Sequence, residues 1–142
     1  MSDGKTRSVL MLDDEKSLRD ALVPMFKDYE IDLYPVATLA EARAILDQRP
    51  IDWAIIDIQM PVSPEDREQA QIWDFGRTYG LKAIKEIRSL RPDLNILAFT
   101  IITNKEIHDC IREYGKSPGK GKIDILVKPV YFDSILSKVR TR

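Results

Sequence analysis

Short apolar runs alternate along this chain with segments whose apolar positions recur every three or four residues. Runs of strand length stand at Val9–Leu12, Ile31–Val36, Trp53–Asp57, Ile96–Thr100 and Asp124–Val127. Between the first two, Leu18, Ala21, Leu22, Met25 and Phe26 form a stripe at helical spacing. Pro24 removes the amide that would bond the Asp20 carbonyl and is expected to interrupt and kink that helix. A short second helix, Ala40 to Asp47, carries Ile45 and Leu46. The third, from about Leu81, shows Leu81, Ile84, Ile87 and Leu90; the fourth shows Ile107, Ile111 and Tyr114; the last shows Phe132, Ile135, Leu136 and Val139. Strands and helices in this alternation predict an α/β fold, a parallel sheet with helices on both faces.

Two connections are longer than such a fold requires. Residues 62–79 form an insertion between the third strand and third helix, where about two to six residues are usual. Within it, Ser63-Pro64-Glu65-Asp66 reads as a helix start: an N-cap serine, proline in the first turn and early acids. A short extra helix through about Trp73 would bring Trp73 and Phe75 to the functional edge as a lid or partner contact. Extra core is the plainer use of both aromatics. Residues 115–123 make an extended basic loop before the last strand.

At 142 residues the chain is expected to form one domain, 1–142, with a core that needs no staples. A net charge of −1 supplies no basic face for nucleic acid. No apolar stretch is long enough for a membrane span, and Met1–Lys5 shows no signal-peptide core. The single cysteine, Cys110, excludes an internal disulfide and fits a reducing compartment, so the cytoplasm is the expected location. Cys110 itself is expected to be buried filler and His108 a surface residue.

The polar residues that close the apolar runs carry the chemistry. Asp13 and Asp14 follow the first run, Asp57 closes the third, Thr100 the fourth, and Lys128-Pro129 follows the fifth. In an open α/β sheet such ends converge on one edge, where ligands bind. Carboxylates, waters and phosphate oxygens are the ligands Mg²⁺ prefers. Without a cation the cluster is strained, since two carboxylates about 4 Å apart repel by about 4 kcal/mol at an effective dielectric of 20. A carboxylate can also attack phosphorus to give an acyl phosphate, and a lysine neutralises charge on the transferred group.

Together these residues resemble the receiver domain of two-component response regulators, the CheY-like phosphoacceptors. The resemblance rests on Asp13-Asp14, Asp57-Ile58-Gln59-Met60-Pro61, Thr100 and Lys128-Pro129, in order and at strand ends. It implies a flavodoxin-like fold with strand order 2-1-3-4-5. It makes Asp57 the phosphoacceptor, Asp14 and Asp57 direct metal ligands with the Gln59 backbone carbonyl, and Asp13 a ligand through water. The cofactor is Mg²⁺, with Mn²⁺ as a substitute. Lys128 would contact the phosphoryl group, the Lys128–Pro129 peptide would be cis, and Thr100 would be the switch hydroxyl. Partners would be a sensor histidine kinase or histidine phosphotransfer protein and a downstream effector, with the fourth helix, fifth strand and fifth helix as the output or homodimer face. The domain would not be a turnover enzyme on a free substrate.

Three features depart from the resemblance. Ile125 stands where an aromatic is usual, three residues before the lysine, and Ile101 follows Thr100 where a small residue is usual. The third is the insertion. They motivate an alternative, a receiver-like interaction module with degenerate, phosphorylation-independent switching. A phosphotransferase or phosphatase of the haloacid dehalogenase type is disfavoured, because Asp57-Ile58-Gln59 lacks the Asp-x-Asp signature. Asp74-Phe75-Gly76 and Gly119-Lys120-Gly121-Lys122 mimic kinase and P-loop motifs without their context.

Overall fold

The computed structural model describes residues 7–59, 79–100, 105–113 and 121–140. Its elements run β1 (Arg7–Leu12), α1 (Lys16–Lys27), β2 (Ile31–Val36), α2 (Leu39–Gln48), β3 (Trp53–Asp57), α3 (Gly80–Leu90), β4 (Asn95–Thr100), α4 (Lys105–Glu113), β5 (Ile123–Val127) and α5 (Phe132–Val139). The five strands form one parallel sheet in the order β2-β1-β3-β4-β5. This is the α/β, flavodoxin-like arrangement expected from the sequence. Pro35 is tolerated because β2 is an edge strand and pairs on one side only.

Because side chains alternate across a strand, each central strand feeds two cores. Leu10, Leu12, Ala54, Ile56, Ile96 and Ala98 point to one face and pack with residues of α2, α3 and α4. Val9, Met11, Trp53, Ile55, Leu97 and Phe99 point to the other and pack with residues of α1 and α5. Burial on both faces explains why β3 reads as an unbroken apolar run instead of an alternating one.

Local chemistry places the helices. Thr38 caps α2 by accepting from the Glu41 amide at 3.2 Å, and its hydroxyl donates to the Glu41 carboxylate at 3.1 Å. At the far end of α3 the buried Arg88 donates to the carbonyls of Leu94 at 2.8 Å and Gly121 at 3.0 Å, and to that of Pro92. It thereby joins α3, β4 and the approach to β5 without a carboxylate partner among these bonds.

Several expectations are corrected. The α1 helix continues through Pro24 to Lys27. Pro24 and Asp20 are both exposed, so water can meet the carbonyl that loses its amide. Leu22 and Phe26 carry the buried face of α1, whereas Ala21 and Met25 lie on its exposed flank. Leu90, at the last position of α3, is also exposed. On α4 the inward face belongs to Ile111 with Ile107 beside it. Cys110 lies one step round and is exposed, not buried; His108 is half-buried. The expected helix through Trp73 lies outside the described residues, as do Tyr114 and most of the 115–123 loop. No described helix is long and apolar enough to cross a membrane.

Candidate functional site

The strand order makes β1, β3, β4 and β5 successive neighbours, so Asp13, Asp57, Thr100 and Lys128 stand at adjacent C-terminal ends. Hydrogen bonds continue the ladder past the last strand residues. Asp13 N–H donates to the Val36 carbonyl at 3.1 Å, Ile58 N–H to Phe99 at 2.9 Å, and Lys128 N–H to Thr100 at 2.8 Å. The site therefore sits on backbone fixed by the sheet, not on free loops.

Lys128 reaches across to Asp57, its Nζ 3.0 Å from Oδ1. The Gln59 amide donates to the same oxygen at 3.2 Å, so Oδ1 takes both bonds and Oδ2 takes neither. Asp13 Oδ1 accepts from the Glu15 amide at 2.9 Å, while its Oδ2 is buried without a hydrogen-bond partner. Carboxylate oxygens of Asp13, Asp14 and Asp57 lie within 4.8 Å of one another. Asp13, Asp57 and Thr100 are buried, and Asp14 is exposed. The Lys128–Pro129 peptide is cis.

Burial sets the electrostatics. Desolvation raises the Asp13 carboxyl to about 6, helped by the charges of Asp57 and Asp14 and opposed by the Glu15 amide and Lys128. Desolvation also raises Asp57, against the hydrogen bond and charge of Lys128. Three carboxylates facing one ammonium leave an excess of negative charge. The donors are all oxygens and one buried oxygen has no partner, a combination that fits a hard divalent cation.

A measurable pH dependence follows for the protein held in EDTA. The folded Asp13 carboxyl binds its proton more tightly than the unfolded chain, whose value is near 3.8. This stabilisation is full below about pH 4 and is lost as pH rises through about 6. The gap of about two pKa units corresponds to about 3 kcal/mol. Urea titrations at pH 4 and 7.5 should therefore show wild type losing about that much more stability than Asp13→Asn. A difference that does not change with pH would assign Asp13 an ordinary pKa.

Of the residues singled out from sequence, Asp13, Asp14, Asp57, Thr100 and Lys128 are brought to one edge. Gln59 is there through its amide. Ile125 lies one turn of the pleat back on β5, half-buried and opposite Ala98, packed toward the α2–α4 core. Trp73, Phe75 and Ile101 lie outside the described residues. Sequence reading passed over Gly80, whose amide donates to the Ile58 carbonyl at 2.8 Å beside the site, and the buried Tyr79 before it. The signal available was a lone glycine opening a helix, which is common and points nowhere by itself.

No protein-family model and no curated protein matches the chain in sequence. Solved structures do match in fold. Chemotaxis protein CheY4 of Vibrio cholerae superposes with a TM-score of 0.73 at 24% identity, covering 96% of this chain and 98% of that one. A CheY-like response regulator receiver domain protein of Methanospirillum hungatei gives 0.71 at 18% identity over 96% and 92%. A response regulator of Burkholderia pseudomallei, solved with a phosphorylated aspartic acid, a calcium ion and citrate, gives 0.70 at 18% identity over 95% and 67%. The chain has the fold of CheY-like response regulator receiver domains.

Proposed function

We propose that this chain is a phosphoacceptor receiver domain of a two-component system, taking a phosphoryl group on Asp57 from a histidine kinase or histidine phosphotransfer protein. The observation that carries the reading is the pairing of Lys128 with Asp57 at 3.0 Å inside a cluster of three carboxylates, Asp13, Asp14 and Asp57. A structural ion pair would have no use for two further carboxylates. A phosphoryl site needs them to hold its cation.

Mg²⁺, or Mn²⁺ in its place, would be held by Asp14, Asp57 and the Gln59 carbonyl, with Asp13 acting through water. When bound, the ion supplies countercharge to the transferring phosphoryl oxygens. Asp57 Oδ1 is already engaged twice, which leaves Oδ2 as the nucleophile. Its lone pair forms the new O–P bond while the donor's P–N or P–O bond breaks, the electron pair leaving with the donor. Lys128 holds its ammonium where negative charge gathers, and its own backbone is anchored to Thr100. Water attack on phosphorus later returns the carboxylate, so the domain consumes its own acyl phosphate and turns over no free substrate.

Thr100, buried at the end of β4, supplies the hydroxyl that responds to the phosphate. Ile125 offers no aromatic ring to follow it, so this reading carries the response through Thr100 and its backbone link to Lys128. The face of α4, β5 and α5 would meet the effector or a second copy. Val127, at the end of β5, and Tyr131, just before α5, are exposed and would contribute apolar area there.

The test is intact mass after incubation with acetyl phosphate. Wild type should gain one phosphoryl mass with Mg²⁺ and none in EDTA, and hydroxylamine should remove it. A mass that stays constant with Mg²⁺ and with a panel of phosphorylated histidine proteins would overturn the reading.

A further inference from the structure

The acceptor backbone is held from two sides, and one of them depends on a missing side chain. Ile58 N–H donates to Phe99 of β4 at 2.9 Å, and the Ile58 carbonyl accepts from Gly80 N–H at 2.8 Å. The same peptide segment carries the Asp57 carboxylate and leads into Gln59, whose amide bonds Asp57 Oδ1. A Cβ built on Gly80 would lie under 3.0 Å from the Asp57 carbonyl oxygen and from the Ile58 Cα. Both are backbone atoms, so neither can swing aside as the tip of a flexible side chain would. The start of α3 can close on the acceptor strand only because residue 80 is glycine.

Resting on the phosphoacceptor reading, we propose that Gly80 is a positioning residue for Asp57. Its bare Cα lets α3 begin against the Asp57–Ile58 peptide and so fixes the acceptor carboxylate and the Gln59 carbonyl relative to Lys128 and Asp13. A larger residue must push α3 away from β3 or rotate the Asp57–Gln59 peptides. Either movement disturbs the oxygen cluster without removing any of its oxygens. The crossing also joins residues 58 and 80 directly.

A control lies at the opposite end of the sheet. Gly121 is equally crowded: a Cβ there would lie under 3.0 Å from the Leu94 carbonyl. Its amide donates to Pro92 at 2.9 Å, and its carbonyl accepts from Arg88. Gly80→Ala and Gly121→Ala should therefore both lower the thermal midpoint. Only Gly80→Ala should weaken Mg²⁺ binding, measured calorimetrically, by about 10- to 100-fold. Its phosphorylation by acetyl phosphate at saturating Mg²⁺ should slow by up to about 100-fold.

Gly80→Ala binding Mg²⁺ as wild type does, or both variants losing affinity alike, would overturn the inference. If Gly80→Ala does not fold, amide NMR of wild type decides. On Mg²⁺ titration the Gly80 amide should shift together with that of Gln59 while Gly121 stays still, and a Gly80 amide that does not respond overturns the proposal. A wild type that neither binds Mg²⁺ nor gains phosphate is a separate result. It removes the phosphoacceptor reading itself, whatever the variants do.

Discussion

Asp57→Asn should abolish phosphoryl incorporation and, in EDTA at neutral pH, raise the thermal midpoint. The first effect is chemical, since the amide has no carboxylate oxygen to attack phosphorus. The second follows from burial. Asp57 is 3% exposed, and desolvation raises its pKa despite the Lys128 ammonium beside it. Holding the charged form there costs the folded state free energy that a neutral isostere does not incur. The amide's oxygen still accepts from Lys128 and Gln59. A gain of about 1–2 kcal/mol is expected for relieving one buried charge. That corresponds to about 5 °C for a domain of this size. Mg²⁺ should reverse the order, because wild type gains more from the cation than the variant does. A variant that still gains phosphate would place the acceptor elsewhere. A lowered midpoint in EDTA would mean that the Lys128 pair outweighs the cost of burial.

The parts of this fold that were legible from sequence are those written in apolar runs. The ends of all five strands are legible in the sequence, four of them because a polar residue closes the run or follows it at the functional edge. The starts of β1, β4 and β5 are less visible, because Arg7, Ser8 and Asn95 are polar and Asp124 separates Ile123 from the apolar run. The strand-end residues Asp13, Asp57, Thr100 and Lys128 were legible for the same reason, since topology alone brings parallel strand ends together. Features set by contacts between distant residues were not. Nothing in the sequence singles out Arg88, whose partners include Gly121 on another connection. Gly80 carries information only once α3 is laid against β3. Periodicity makes the α1 stripe one position too wide, because it finds a face but packing against the sheet decides its edges. Cys110 fell to the same difficulty on α4.

Lys128→Ala should move two properties in opposite directions, and that divergence is what assigns the lysine to phosphoryl transfer. Its ammonium lies 3.0 Å from Asp57 and lowers the pKa of both Asp57 and Asp13. Without it the three carboxylates face one another with no such countercharge. The cation-free protein should lose about 1–3 kcal/mol at neutral pH. A divalent cation then meets a more negative pocket and should bind severalfold more tightly, since a like charge has left its neighbourhood. Phosphorylation should nevertheless slow by about 10²–10³, the usual loss when a preorganised donor is removed from developing charge. Titration calorimetry with Mg²⁺ and a time course of intact mass separate the two effects. Lys128→Arg, which keeps the charge but not the compact ammonium, should restore the EDTA stability more fully than the rate. Should Mg²⁺ affinity and rate instead fall together, Lys128 would be holding the site in shape, and the negative charge of the transferring group would have to be met from elsewhere.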